Sequence, residues 1–243
     1  WYFERGRYDD GERIVTEAIV ELRSAGTYGV SLAFTVLAWG RFVQGRYDEA
    51  LVDYRESLAE GRRVDHPHSI AVAMTGVGRC LLALGRPGEA RPHLVEARER
   101  FEELTIAPGI VECNVLLGVT ERDLGDPRAA ARLLLAALTD TGIHWSDDGD
   151  IWTLQFSASV ISDRATAAVL AGAAAEAYER SVIAQPAFVV DELCALRDRL
   201  ESELGAEELG RHLRTGERRT RPEAIDIGRA ALSAYLLEQG DES

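Results

Sequence analysis

Apolar residues recur at helical spacing along most of the chain. Val72, Val77, Leu81 and Leu84 lead up to one Gly-Arg step, and Leu51, Tyr54 and Leu58 follow another. Strand-like alternation is nearly absent, so the period predicts helices throughout. They group as a shortened first unit over 8–25, then 30–61, 67–104, 108–141 and 150–184, with a terminal helical segment over 186–239. The stretch 165–181 is dense in alanine, and Leu193, Leu196, Leu200 and Leu204 continue a period near 3.6 beyond it. The polar, glycine-containing TDTGIHWSDDGD at 139–150 breaks the rhythm and reads as a loop. DES at the end reads as a frayed terminus.

The same phrase punctuates these helices. Gly6-Arg7-Tyr8-Asp9 returns as Gly45-Arg46-Tyr47-Asp48-Glu49-Ala50, then as Gly85-Arg86-Pro87-Gly88-Glu89-Ala90 and Gly125-Asp126-Pro127-Arg128-Ala129-Ala130. The glycines lie 39, 40 and 40 residues apart, and a weaker copy at Asp163–Ala168 follows after 38. A constant interval of this kind marks stacked structural repeats. Glycine at the end of a first helix accepts the left-handed backbone that reverses the chain. Tyrosine or proline then opens the second helix, where proline's missing N–H has no partner to lose. The alanine (Ala50, Ala90, Ala130) falls where two helices approach closely. Pro67, Pro87, Pro108, Pro127, Pro186 and Pro222 all sit where a helix should start, whereas Pro92 predicts a late start or a bend in its helix. The pattern predicts an all-α, right-handed superhelix of antiparallel helix pairs with a period of about 38–40 residues. Residues 1–184 form the repeats, and 185–243 form closing helices of the same array.

Composition fits this picture. The 243 residues are 46% hydrophobic but only 7% aromatic, enough for a continuous, closely packed helical core. No run approaches the roughly 20 apolar residues of a membrane span, and no secretory signal pattern is present. The chain opens on Trp1 in what reads as the middle of a repeat, the expectation being a piece of a longer polypeptide. A net charge of −14 argues against direct nucleic-acid binding, which needs a basic face. The one basic cluster, Arg211, Arg214, Arg218, Arg219 and Arg221, reads as a solvated helix end. Cys80, Cys113 and Cys194 form no CxxC pair. The first two lie on apolar helical stretches and behave as small hydrophobes, which suits a reducing cytoplasm.

Candidate chemistry is thin. Asp65-His66-Pro67-His68 gathers two imidazoles and a carboxylate but lacks a third ligand at helical spacing. It reads as a capped turn. A metal-dependent hydrolase centred on His66, His68 and His144 is the enzyme alternative, and it predicts stoichiometric bound metal. Asp147-Asp148-Gly149-Asp150 resembles part of a calcium loop without the remaining ligands in register; it reads as an acidic cap on the next helix. Phosphate-binding glycine loops and the GxSxG elbow are missing, and Gly76-Val77-Gly78 reads as close helix packing. The sequence therefore points to no catalytic residue, no metal and no cofactor. Stacked helix pairs instead offer a concave face lined by the first helix of each unit. The inward positions of that face include Leu82, Val119 and Thr153 and the binding candidates Thr35, Trp39, Phe42, Thr75, Arg79, Glu112, Arg122 and Ser157. Trp39 and Phe42 are candidate anchors for a partner.

Val77-Gly78-x-x-Leu81, Gly85, Ala90, Leu94 and Ala97 resemble the tetratricopeptide pattern, as do Leu117-Gly118, Gly125, Ala130, Leu134 and Ala137. The period near 40 departs from that family's 34, and longer helices of this kind resemble the sensor regions of large bacterial signal-transduction ATPases. The C-terminal third adds a second resemblance. Ala167, Ala168, Leu170, Gly172, Ala173, Ala174, Glu176, Leu204, Gly205, Leu209, Gly216, Glu223, Ala224, Ala231 and Leu232 follow the closing segment of actinobacterial STAND-class, LuxR/SARP-type, ATPase-linked regulators. That resemblance implies a non-enzymatic regulatory domain in the cytoplasm. Its partner would be another protein or an NTPase module of the same polypeptide. A small-molecule effector and homodimerisation are both compatible with such a surface, and no membrane contact is implied. A stand-alone adaptor for protein–protein interaction is the alternative.

Overall fold

In a computed structural model, residues 7–25, 29–139, 149–181 and 185–239 are described. Gly6 of the first repeated phrase, residues 140–148 of the expected loop with His144, Asp147 and Asp148, and the terminal DES lie outside them. The described residues form twelve α-helices and no strand. They are α1 Tyr8–Ala25, α2 Gly29–Val43, α3 Tyr47–Arg63, α4 Pro67–Ala83, α5 Pro87–Glu103, α6 Ala107–Asp123, α7 Pro127–Thr139, α8 Gly149–Val160, α9 Arg164–Arg180, α10 Ala187–Leu204, α11 Ala206–Glu217 and α12 Arg221–Glu238. Consecutive helices pack as antiparallel pairs, making the chain all-α as the periodicity predicts.

The interval of 40 residues has a simple origin. Helices α3 to α6 each run 17 residues, and three-residue turns join them. Each turn after a first helix closes the same way. Gly45, Gly85 and Gly125 have φ of 77°, 69° and 86°. The following N–H then reaches the carbonyl five residues back, as from Arg46 to Arg41 at 3.0 Å and from Arg86 to Leu81 at 2.8 Å. This is the Schellman closure. Turns between units use the same bond, His66 N–H to Gly61 and Ile106 N–H to Phe101, but place Asp65 (φ 49°) and Thr105 (φ 54°) in the left-handed region. The arginine and glutamate of the repeated phrase pair across the new helix's first turn, Arg46 with Glu49 and Arg86 with Glu89.

Pro92 neither delays nor divides α5, which runs unbroken from Pro87. The carbonyl that loses its donor belongs to Gly88, an exposed residue with open space around it, so it stays open to solvent.

The helices gather into two compact units, Trp1–Leu116 with Val182–Phe188, and Leu117–Ser181 with Val189–Ser243. In the first unit, Ile19, Val30, Ala33, Phe34 and Leu37 join α1 to α2. Leu58, Ile70, Met74, Ala97, Phe101 and Cys113 form a second cluster across α3 to α6. Helix α4 is buried almost all round, and its glycines explain how. A Cβ on Gly76 would lie 2.2 Å from the Tyr54 ring, and one on Gly78 would lie 2.5 Å from Leu94. One glycine admits the preceding helix, the other the following one.

In the second unit α8 is the buried centre, with Ile151–Ala158 all inaccessible. Helices α7, α9 and α12 pack around it. Helices α9 and α11 cross with backbones touching. A Cβ on Gly172 would lie 2.2 Å from the Leu213 carbonyl oxygen, and one on Gly216 only 1.9 Å from that of Val169.

Candidate functional site

The inward positions of α2, α4 and α6 in the first unit converge. The Arg79 guanidinium lies over the Trp39 ring at 5.1 Å and the Phe42 ring at 5.7 Å, with the two rings stacked at 5.8 Å. It pairs with the Glu112 carboxylate and donates to the Tyr54 hydroxyl at 3.5 Å. Arg79 is 8% exposed, so this cation is desolvated and depends on its carboxylate and aromatic partners. Burial pushes the Tyr54 phenol far above its usual range. Four of the eight residues chosen from the sequence (Trp39, Phe42, Arg79 and Glu112) thus form one cluster.

Thr35 and Thr75 do other work. The Thr35 hydroxyl bonds Ser57 Oγ at 2.9 Å, joining α2 to α3 beside the buried Ser31. The Thr75 hydroxyl donates to the Ala71 carbonyl at 2.9 Å and lies 3.6 Å from Cys113 Sγ. Both residues are turned to packing. Of the cluster, Trp39 is half-exposed. One and two turns earlier on the same face of α2, Val36 is 39% and Leu32 54% exposed. Leu32, Val36 and Trp39 therefore make an apolar stripe at i, i+4, i+7, standing on a braced aromatic–guanidinium base. The sequence argument named Trp39 but missed Leu32 and Val36, though their spacing from it was legible.

The second unit treats its inward positions differently. Arg122 donates to Glu192 of α10 through both terminal nitrogens, at 2.9 and 3.2 Å, and to Ser159 Oγ at 3.0 Å. Burial acts to lower its pKa, but Glu192 and Asp123 outweigh that and raise it. Gln155 Nε2 donates to the Val189 carbonyl at 2.8 Å, and Arg199 to the Ser159 carbonyl at 3.3 Å. Ser157 is fully buried and donates to Thr153 at 2.7 Å. Through these bonds α10, which buries Val189, Leu193, Leu196 and Leu200, is tied to Arg122, Gln155 and Ser159.

A charge network that sequence reasoning did not single out ties α1 to the first repeated turn. Arg41 pairs with Asp53 at 2.7 Å and with Glu12 at 3.3 Å, and Arg46 pairs with the same Glu12. Burial raises Asp53 to about 6 despite the Arg41 contact. The His66 ring caps α4 by accepting from Ser69 N–H at 3.2 Å, and His68 lies 6.3 Å from the Phe101 ring. No group of three potential metal ligands occurs among the described residues. Burial pushes the thiols of Cys80 and Cys113 up to about 12 and about 11, which suits packing and not nucleophilic attack. The basic cluster lies exposed on α11 and the turn into α12, where Arg219 reaches Glu223 at 3.9 Å.

No helix among the described residues is long and apolar enough to cross a membrane. Comparison with curated proteins finds no match. The family model described as tetratricopeptide repeat matches residues 32–103, a span running from α2 to the end of α5 and holding the stripe, Arg79 and both rings. The chain therefore contains a tetratricopeptide-repeat region within an all-helical repeat fold, an architecture that serves protein–protein interaction.

Proposed function

We propose that this chain is a non-enzymatic regulatory domain of a cytoplasmic bacterial signal-transduction regulator, and that it takes a protein partner on the α2 stripe of its first unit. The observation that carries the binding surface is the stripe itself: exposed Leu32 and Val36 beside half-exposed Trp39, whose ring is held by buried Arg79 and Glu112. A rigid aromatic with apolar neighbours is what a partner's side chains need for an anchor. Thr35, Phe42 and Thr75 support the surface from beneath, and Arg122 and Ser157 hold the inner face of the second unit.

The regulator reading rests on the resemblance of the C-terminal segment to ATPase-linked regulators. Two of the glycines that carry it, Gly172 and Gly216, sit at the crossing of α9 and α11. In this reading residues 1–184 are the sensing repeats and 185–243 close them, and an NTPase module of the same polypeptide receives the signal. The stand-alone adaptor is favoured by the match over 32–103, which concerns repeats alone.

Replacing Val36 by a photo-crosslinking amino acid in the full-length polypeptide tests both. A crosslink into an NTPase module of the same chain supports the regulator, and a crosslink to a separate protein supports the adaptor. If position 36 crosslinks to nothing while an exposed control such as Val52 behaves identically, the stripe is not a binding surface.

A further inference from the structure

A second candidate binding place lies wholly within the second unit, between α9 and α10. It is a groove of about 340 Å³, within the range of roughly 300–1,000 Å³ that small-molecule sites occupy. Helix α9 contributes Ala175 and Glu179, one turn apart, and Tyr178, whose hydroxyl donates to Gln155 Oε1 at 2.6 Å. Helix α10 contributes Val190, Cys194 and Arg197 at i, i+4 and i+7, with Leu193 buried at the floor. Ala175, Val190 and Leu193 supply its apolar lining, and Val190 stays 41% exposed.

Charge defines what would fit. Arg197 and Glu179 both line the groove, yet among the described residues neither has an ion-pair partner, and they do not pair with each other. Neighbouring Arg180 does take a carboxylate, Glu176 at 2.7 Å. A free guanidinium and a free carboxylate that flank an apolar trough without meeting leave room for a molecule carrying the opposite charges and an apolar body. A guanidinium fork suits a carboxylate, and a carboxylate suits an ammonium.

We infer that this groove binds an apolar amino acid as its zwitterion, carboxylate on Arg197, ammonium on Glu179, and side chain over Ala175, Val190 and Leu193. Such a ligand would be a small effector at a place independent of the protein-binding stripe, so either assignment stands if the other fails.

Cys194 provides the readout, because it is exposed within the groove while Cys80 and Cys113 are buried. Alkylation of Cys194 by iodoacetamide is followed with L-leucine or L-phenylalanine present. N-acetyl-leucine, which lacks the ammonium, and leucinamide, which lacks the carboxylate, are run alongside. At a ligand concentration ten times its dissociation constant, alkylation should slow about tenfold, since only the empty fraction reacts. Each blocked analogue should protect less at the same concentration, and Arg197→Ala and Glu179→Gln should each remove the protection. Both substitutions are at exposed positions, and continued silence of Cys80 and Cys113 confirms that the variants are folded. No protection by either amino acid up to its solubility overturns the inference. So does protection that survives in either variant, and equal protection by N-acetyl-leucine would show a plain carboxylate site instead.

Discussion

The crossing of α9 and α11 gives the sharpest test of the packing. In Gly216→Ala, the added methyl would lie 1.9 Å from the Val169 carbonyl oxygen and 2.8 Å from the Ala173 amide nitrogen. Both neighbours are backbone, so no side-chain rotation relieves the contact, and the helices must separate by more than an ångström. Separation loosens Leu209 and Leu213, which α11 buries on that side. Intrinsic helix propensity works the other way, favouring alanine over glycine by about 1 kcal/mol. Overpacking a tight site costs about 1–3 kcal/mol where side chains can adjust, and here they cannot. The net expectation is a loss of about 3 kcal/mol, or a fall in Tm of roughly 6–12 °C for a chain of this size. Urea unfolding is the assay, with Gly88→Ala as control. That glycine has nothing within 4 Å and sits inside α5, so alanine there should be neutral or stabilising by up to about 1 kcal/mol. If Gly216→Ala matches Gly88→Ala, α11 does not cross α9 at this register.

Three further outcomes follow from the turns and the buried charges. Thr105→Gly should stabilise by about 0.5–1 kcal/mol in urea unfolding, since a β-branched residue pays about 1–2 kcal/mol in the left-handed region and glycine returns part of that as chain entropy. A change in the opposite direction would mean that Thr105 is not strained. Arg79→Leu alone should destabilise by about 3 kcal/mol by leaving Glu112 without its cation, while Arg79→Leu with Glu112→Leu should recover much of the loss; additive losses would refute the pairing. Asp53 is raised to about 6 in the fold, so the folded chain holds a proton that the unfolded chain releases near 4. Its protonated form therefore favours folding below about 4, and that advantage is lost as pH rises to about 6. Burial lowers the pKa of His68 and His93, so their neutral forms favour folding above the ordinary histidine range and the benefit disappears as pH falls through it. Asp53→Asn should gain on the parent between pH 4 and 6, and parallel urea-midpoint curves across that window would refute the assignment.

The repeat architecture was legible because its signals are local. Glycine with positive φ, proline or tyrosine opening a helix, and a buried alanine at a fixed distance all follow from one turn's geometry. The inward face was half legible. Spacing placed Trp39, Phe42, Arg79 and Glu112 on facing helices, and they do meet. Spacing could not tell that Arg79 would be 8% exposed, because that depends on two rings from another helix closing over it. Asp65 and Thr105 in left-handed turns were invisible, since neither residue type announces that backbone. The role of α10 was also invisible. Its Val189–Leu200 period is that of any amphipathic helix, and only the tertiary fold shows that Glu192 is the partner of Arg122, 70 residues away.

That last contact bears on where binding can occur. In the second unit, Arg122 and Gln155 donate to α10 and the Ser159 carbonyl accepts from it, and α8 beneath them is buried on every side. A ligand there would have to displace a helix held by four buried aliphatic side chains, each contributing on the order of 1.5–3 kcal/mol of burial. Among the described residues, Leu32 and Val36 of the first unit's stripe remain exposed and Trp39 half-buried, while the Arg79 cation behind them is held by Glu112 and the two rings. Binding at the stripe needs only desolvation of apolar surface, which is favourable, whereas binding at the inner face of the second unit must first undo a folded contact. That physical asymmetry is the ground on which protein recognition is proposed at the stripe and not against α10, whose groove beside α9 is proposed for a small ligand.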